Sequence, residues 1–286
     1  MSAPRLLIFG YGFIGSALGG LAASHGYDIS ATIRTPERGR QLDAMGIQPV
    51  PVGNHRELAR AVDAASGILV CPAPTDEGCP GFAALSPQLA KSGRKWIGYL
   101  STTGVYGDRA GGWVWEDGAR APTSAEGRRR VVAEDQWQSL DHDLNIFRLP
   151  GLYGPGRNVI EKLMAGEARR IRKPGHVFSR LHHDDCATAL LASLKRGGND
   201  IFNLCDDEPA PGDAVVTYAT QLTGLPLPEA IAWDDPNLSP GARRFYADNK
   251  RVSNARAKAV LGWRPVYANY RQGLDAIWKD LKATWP

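Results

Sequence analysis

Leu6-Leu7-Ile8-Phe9-Gly10-Tyr11-Gly12-Phe13-Ile14-Gly15 is the stretch that decides how the rest of the chain is read. Its four leading apolar residues spell a strand buried on both faces, because a half-exposed strand would alternate with polar residues. The glycines follow at once in the spacing G-x-G-x-x-G, and Ile14 to Ser24, rich in Ala, Leu and Gly, has the length of a helix. Glycines alone often serve only a tight turn. Between a buried strand and a helix they do more. The bare backbone of Gly12 and the unpaired N–H groups of the helix N-terminus make a cradle for a phosphate group.

Working outward, Ile29 to Ile33, Ile47 to Val52, Gly67 to Cys71 and Trp96 to Leu100 read as further strands. Helical stretches open at Pro36, a good first-turn residue, and span Glu57 to Ala64 and Phe82 to Ala90. Apolar strands alternating with helices of this length predict an α/β fold with a doubly wound parallel sheet of the Rossmann type. Residues 1–150 form the expected dinucleotide-binding unit. Beyond about residue 150 prolines punctuate shorter elements, although Leu144 to Leu149 and Ile201 to Leu204 still look like sheet components. Residues 151–286 are therefore expected to form a smaller, irregular substrate lobe interleaved with the last strands.

The end of the second strand bears on the cofactor. A site for NAD places Asp or Glu there to hold the adenosine ribose. This chain has Thr32-Ile33-Arg34, with Arg38 one helical turn on. Guanidinium groups suit a 2′-phosphate, which a carboxylate would repel, so NADP is expected ahead of NAD. The plainer alternative is that both arginines are solvated residues at a helix start.

Composition narrows the partners. A net charge of +4 over 286 residues gives no reason to expect nucleic acid or an anionic membrane. The run Arg128-Arg129-Arg130 reads as a solvated helix face rather than a nucleic-acid patch. Four sparse cysteines without a C-x-x-C pair fit reduced thiols, and the scattered His and Cys lack metal-ligand spacing. No run of eighteen apolar residues occurs and the opening apolar run is short, so a soluble cytoplasmic protein is expected.

Further motifs carry a resemblance. Tyr99-Leu100-Ser101-Thr102-Thr103-Gly104-Val105-Tyr106-Gly107 is similar to a strand end written S-[ST]-x-x-V-Y-G. Arg148-Leu149-Pro150-Gly151-Leu152-Tyr153-Gly154-Pro155-Gly156 is similar to R-x-x-x-x-Y-G-P-G, and His182-His183-Asp184-Asp185 to [VI]-x-D-D. Phe202 to Pro209 and Leu261 to Pro265 match the late signatures of the same set. With the glycine loop these occur in the order found in the extended short-chain dehydrogenase/reductase superfamily, epimerase/dehydratase branch, which the chain resembles from end to end. The resemblance implies a nicotinamide dinucleotide on Gly10, Tyr11, Gly12, Phe13, Ile14 and Gly15, and a small carbonyl or sugar-type substrate. It also implies a homodimer through the helices around Phe82 to Ala90 and Thr123 to Leu140.

Two departures mark an atypical branch. The glycine turn is one residue shorter than the family's T-G-x-x-G-F-I-G. In Pro122-Thr123-Ser124-Ala125-Glu126-Gly127-Arg128-Arg129-Arg130, the family's catalytic tyrosine is Glu126 and its lysine is Arg130. In the family the lysine holds the nicotinamide ribose and lowers the tyrosine pKa, and the Ser or Thr donates to the substrate oxygen. Thr102 keeps that last place, and Arg130 can still bond ribose hydroxyls. Glu126, four residues before Arg130, could instead form a surface ion pair with it. Tyr106, Tyr153 and His182 are further candidates for the missing acid, each with a structural explanation beside it. The expected function is an NADP-dependent oxidoreductase or epimerase-like enzyme with Thr102, Glu126, Arg130 and Tyr153 at its centre. The rival is a non-catalytic dinucleotide sensor, which needs no proton donor.

Overall fold

The computed structural model describes residues 3–283; Met1, Ser2 and residues 284–286, at the ends of the two expected units, lie outside the described residues. β1 (Arg5–Phe9) leads through the glycine turn into α1 (Phe13–Ser24). The alternation continues with β2 (Asp28–Ile33), α2 (Pro36–Asp43), β3 (Gln48–Pro51), α3 (His55–Ala64), β4 (Gly67–Val70), α4 (Pro80–Leu89) and β5 (Trp96–Thr102). A 3-10 turn (Thr103–Tyr106), β6 (Trp113–Val114) and α5 (Ala125–Gln138) precede β7 (Asp143–Leu149). The second half runs β8 (Gly151–Tyr153), α6 (Val159–Met164), β9 (Arg170–Arg172), β10 (Arg180–His182), α7 (His183–Arg196) and β11 (Asp200–Asn203). It ends with α8 (Gly212–Thr223), β12 (Ala230–Ala232), α9 (Pro240–Phe245), β13 (Arg251–Val252), α10 (Ala255–Leu261) and α11 (Tyr270–Lys282).

Seven strands make one sheet in the order β11-β7-β5-β4-β1-β2-β3, every neighbouring pair parallel. The apolar run of β1 is divided residue by residue between two cores. Leu6 and Ile8 join Leu18 of α1 and Leu190 of α7 on one face. Leu7 and Phe9 join Val62 of α3, Leu85 of α4 and Trp137 of α5 on the other. That division is why the strand shows no alternation of polar and apolar residues. The chain is α/β and doubly wound, and the reversal of strand order on either side of β1 opens a crevice at the carboxyl ends of β1 and β4.

Local chemistry sets the helix starts around that crevice. Thr35 caps α2 by accepting from Arg38 N–H, with Pro36 in its first turn. Ser124 caps α5 by accepting from Gly127 N–H at 3.0 Å. The second half is more regular than its prolines suggest: α6 to α11 are helices, and three short parallel pairs occur, β8/β10, β9/β12 and β6/β13. Strands of two or three residues are too short to show a period, which is why they could not be read ahead. All four cysteines are free. No helix among the described residues is long and apolar enough to cross a membrane.

Candidate functional site

The three glycines of the loop do three different things. Gly10 has φ +93°, a conformation that favours glycine, and its N–H donates to the Thr32 hydroxyl at 3.0 Å. A Cβ on Gly15 would lie 2.8 Å from the Gly10 carbonyl and 3.0 Å from the Ile8 side chain, so Gly15 lets α1 pack hard against β1. A Cβ on Gly12 would meet no protein atom within 4 Å. Gly12 also stands at the N-cap of α1, and no side chain caps that helix. Free backbone donors and a positive helix end thus face open space, the arrangement an anion requires.

Around the loop, Tyr11 is buried with its hydroxyl against Gly19, and Ile14 belongs to the core. Arg38, exposed in the first turn of α2, donates its guanidinium to the Tyr11 carbonyl at 3.2 Å and to Gln41 at 2.8 Å. Arg34 is exposed directly after β2. Thr32, which stands near the place of the usual acid, serves the loop backbone instead.

At the carboxyl end of β5, the Thr102 hydroxyl oxygen accepts from Gly104 N–H at 3.1 Å, which leaves its own hydrogen free to donate. α5 comes close because Gly127 has no side chain: a Cβ there would lie 2.8 Å from the Gly104 carbonyl. Arg130 turns away from Glu126. It donates to the Tyr99 hydroxyl at 3.0 Å and to the Leu100 carbonyl, with its guanidinium 5.6 Å from the Tyr99 ring centroid. The surface ion pair weighed for these two residues is not made, since β5 offers Arg130 two acceptors nearer the sheet. Burial pushes the Cys71 thiol up to about 12, with Arg130 pulling it back, so the guanidinium is felt at the end of β4 as well. Glu126 is exposed in the first turn of α5, where a carboxylate suits the helix dipole.

The other candidate acids are engaged or turned inward. Tyr106 donates to Asn203 at 2.7 Å and accepts from Arg148 at 2.9 Å. His182 caps α7, its Nδ1 accepting from Asp184 N–H at 3.3 Å. Tyr153 is buried in the core shared by α6, α8 and α11, and Gly273 is bare where its hydroxyl packs. Burial, with Asp206 and Asp185 adding to it, raises the Tyr153 phenol far above its ordinary value. Tyr153 is thus part of the core between α6, α8 and α11.

Two features went unread in the sequence. Lys250 donates to the Gly107 carbonyl at 2.8 Å, and Thr123 donates to Asp248 at 2.6 Å, so residues 248–250 are tied to the end of the turn after Thr102 and to the segment that leads into α5. Asp206 is 2% exposed, and neither carboxyl oxygen has a hydrogen-bond partner among the described residues. Burial pushes its pKa up to about 8 even with Arg180 nearby. The folded state therefore holds a proton that the unfolded chain, with a carboxylate near 4, releases. This contribution to stability is complete below about pH 4 and is lost as pH rises through about 8. Melting temperature measured from pH 5 to 9 should fall with rising pH in the wild type and less steeply in Asp206→Asn. Parallel curves would mean that Asp206 is ionised throughout.

No family model matches the chain. A conserved protein of unknown function from Silicibacter pomeroyi is 44% identical, with 97% of this chain and 99% of that one covered and a TM-score of 0.91. The dTDP-glucose 4,6-dehydratase of Bacillus anthracis, solved with NAD, gives a TM-score of 0.79 at 18% identity, covering 98% of this chain and 97% of that one. The chain shares the fold of that dehydratase. In this chain the glycine loop follows β1, Thr102 ends β5, and the first turn of α5 packs against the turn after Thr102. A 3-diazoavenalumate denitrifying reductase from a Streptomyces species is 30% identical over 158 residues, 51% of this chain and 51% of that protein. The match thus spans about half the length of that relative.

Proposed function

We propose that this chain is an NADP-dependent oxidoreductase or epimerase-like enzyme acting on a small carbonyl or sugar-type substrate. One observation carries the reading: Gly12 and the uncapped N-terminus of α1 face open space, with Arg38 fastened to the loop beside them. Those residues fit a dinucleotide, whose nicotinamide would supply or take up a hydride when bound. Thr102, its oxygen already satisfied by Gly104, donates its hydroxyl hydrogen to a substrate oxygen. Arg130, pinned to β5, holds the ribose hydroxyls with its remaining N–H groups. Relatives that are a reductase and a dehydratase solved with NAD support redox chemistry on this fold.

A second reading, a dinucleotide sensor without turnover, is favoured by the acids themselves. Glu126 is exposed, Tyr106 is bonded on both sides and Tyr153 is enclosed by the lobe. NADPH oxidation by the wild type across sugar nucleotides and small carbonyl compounds separates the two, since turnover removes the sensor reading. For the cofactor, calorimetric titration should show NADP binding about tenfold tighter than NAD, with the difference lost in Arg34→Asp. Equal wild-type affinities, or a mutant that keeps the preference, overturn the assignment of NADP.

A further inference from the structure

We infer that Arg157, in the loop between β8 and α6, is a second anion contact of the dinucleotide site and meets the pyrophosphate from the lobe side. The inference rests on the dinucleotide reading and adds to it a residue outside the glycine loop. Phe13, which follows Gly12 directly, stacks on His183 with ring centroids 4.9 Å apart and planes at 20°. The Arg157 guanidinium carbon lies 5.5 Å from the Phe13 ring centroid. A tight turn carries it there: Gly154 N–H donates to the Arg157 carbonyl at 3.1 Å, and Arg157 N–H donates back at 3.0 Å. Gly154 must be bare for this, because a Cβ would lie 2.2 Å from the His183 ring. The turn therefore closes directly onto the Phe13–His183 stack.

Arg157 is exposed, and its guanidinium makes no hydrogen bond or ion pair among the described residues. Arg38 and Arg130, by contrast, give part of their N–H groups to the protein, Arg38 to Tyr11 and Gln41 and Arg130 to Tyr99 and Leu100. A guanidinium held on the aromatic ring beside an uncapped helix N-terminus places two positive centres together, while the nearby carboxylates of Asp184 and Glu161 are engaged by His183 at 3.3 Å and by Gly156 N–H at 2.9 Å. Such a pair is stabilised by an anion bridging them. Burial holds the His183 imidazole below its ordinary value, with the Asp184 carboxylate pulling it back up, so near neutral pH the positive charge on this stack is that of Arg157.

Sheet order says which anion. Arg34 and Arg38 come from β2 and α2, on one side of β1, where the 2′-phosphate reading puts the adenosine. Arg157 follows β7 and β8, and β7 lies on the other side of β1, beyond β4 and β5. Its charge falls toward the nicotinamide half, over the pyrophosphate, which NADP and NAD share.

Calorimetric titration of both cofactors tests this. Arg157→Ala should weaken NADP and NAD by the same factor, roughly tenfold, while Arg157→Lys recovers part of the loss. The melting temperature of Arg157→Ala should stay at the wild-type value, because the side chain is exposed. Loss of NADP affinity alone overturns the pyrophosphate assignment and makes Arg157 a 2′-phosphate contact. Unchanged affinities in Arg157→Ala, with the wild type binding, overturn the role of Arg157 and leave the cofactor reading standing. A wild type that binds neither dinucleotide overturns the cofactor reading itself.

Discussion

Gly12→Val should lower dinucleotide affinity by at least about 100-fold while leaving a cooperatively folded protein. The reasoning is the separation of two requirements that coincide in most glycine loops. At Gly12 the backbone is extended, with φ −110° and ψ −152°, outside the left-handed region that favours glycine. The new side chain would meet no protein atom within 4 Å of its Cβ. The remaining cost to the apo protein is the poorer N-cap, about 1 kcal/mol, or a few degrees of melting temperature. The side chain instead fills the space over the helix N-terminus that a pyrophosphate needs. Gly15→Val is the contrasting control. Its Cβ would press on the Gly10 carbonyl at 2.8 Å, so it should destabilise the fold itself by about 1–3 kcal/mol. Differential scanning calorimetry and titration of each variant read the two effects apart. If Gly12→Val binds NADP as the wild type does, the loop is only a turn and the cofactor reading fails.

The contrast between Gly12 and Gly15 also shows what a sequence can and cannot disclose. G-x-G-x-x-G identifies the loop because strand, turn and helix are consecutive in the chain, and the hydrophobic run of β1 already says both faces are covered. It does not say which glycine answers to the fold and which to the ligand, because that depends on atoms from β1 and from the loop itself. The same limit applies at α5. Counting residues placed Glu126 and Arg130 where the family has its tyrosine and lysine, and one helical turn between them suggested a local ion pair. The guanidinium chose Tyr99 and the Leu100 carbonyl instead, acceptors 31 and 30 residues away in the chain. Tyr153 could be read as a candidate acid only because its motif ends near the crevice. Its burial against Gly273 comes from α11, more than a hundred residues later. Arg157 follows directly on the Arg148–Gly156 motif, but nothing in the sequence says that a turn after β8 folds back onto Phe13. Local pattern disclosed the scaffold and the loop. Contacts between distant segments decide the chemistry.

The largest stability effect is expected beneath Thr102, where Arg148 and Glu134 are 2% and 0% exposed. They pair through two bonds, Arg148 Nε to Glu134 Oε1 at 3.1 Å and Nη2 to Oε2 at 2.8 Å. Ser101, the residue before Thr102, donates to the same carboxylate at 2.6 Å. Arg148 Nη1 donates to the Tyr106 hydroxyl and to the Glu116 carbonyl, each at 2.9 Å. The network therefore joins β5, the turn at 103–106, α5 and β7. Arg148→Met keeps most of the volume but leaves Glu134 as a buried carboxylate, with Ser101 and the more distant Arg120 as its remaining partners. Removing one member of a buried pair in this way costs about 3–5 kcal/mol. Replacing both, in Glu134→Leu/Arg148→Met, removes the stranded charge, and the double variant should recover at least about 2 kcal/mol relative to the sum of the single losses. Urea unfolding of the four proteins closes the cycle. Single losses below about 1 kcal/mol, or strictly additive ones, would show that the pair is not what holds the turn. A second readout follows from Ser101. Because the pair fixes the strand end that carries Thr102, Arg148→Met should also reduce any turnover more than Glu134→Leu/Arg148→Met does, at a temperature where both remain folded.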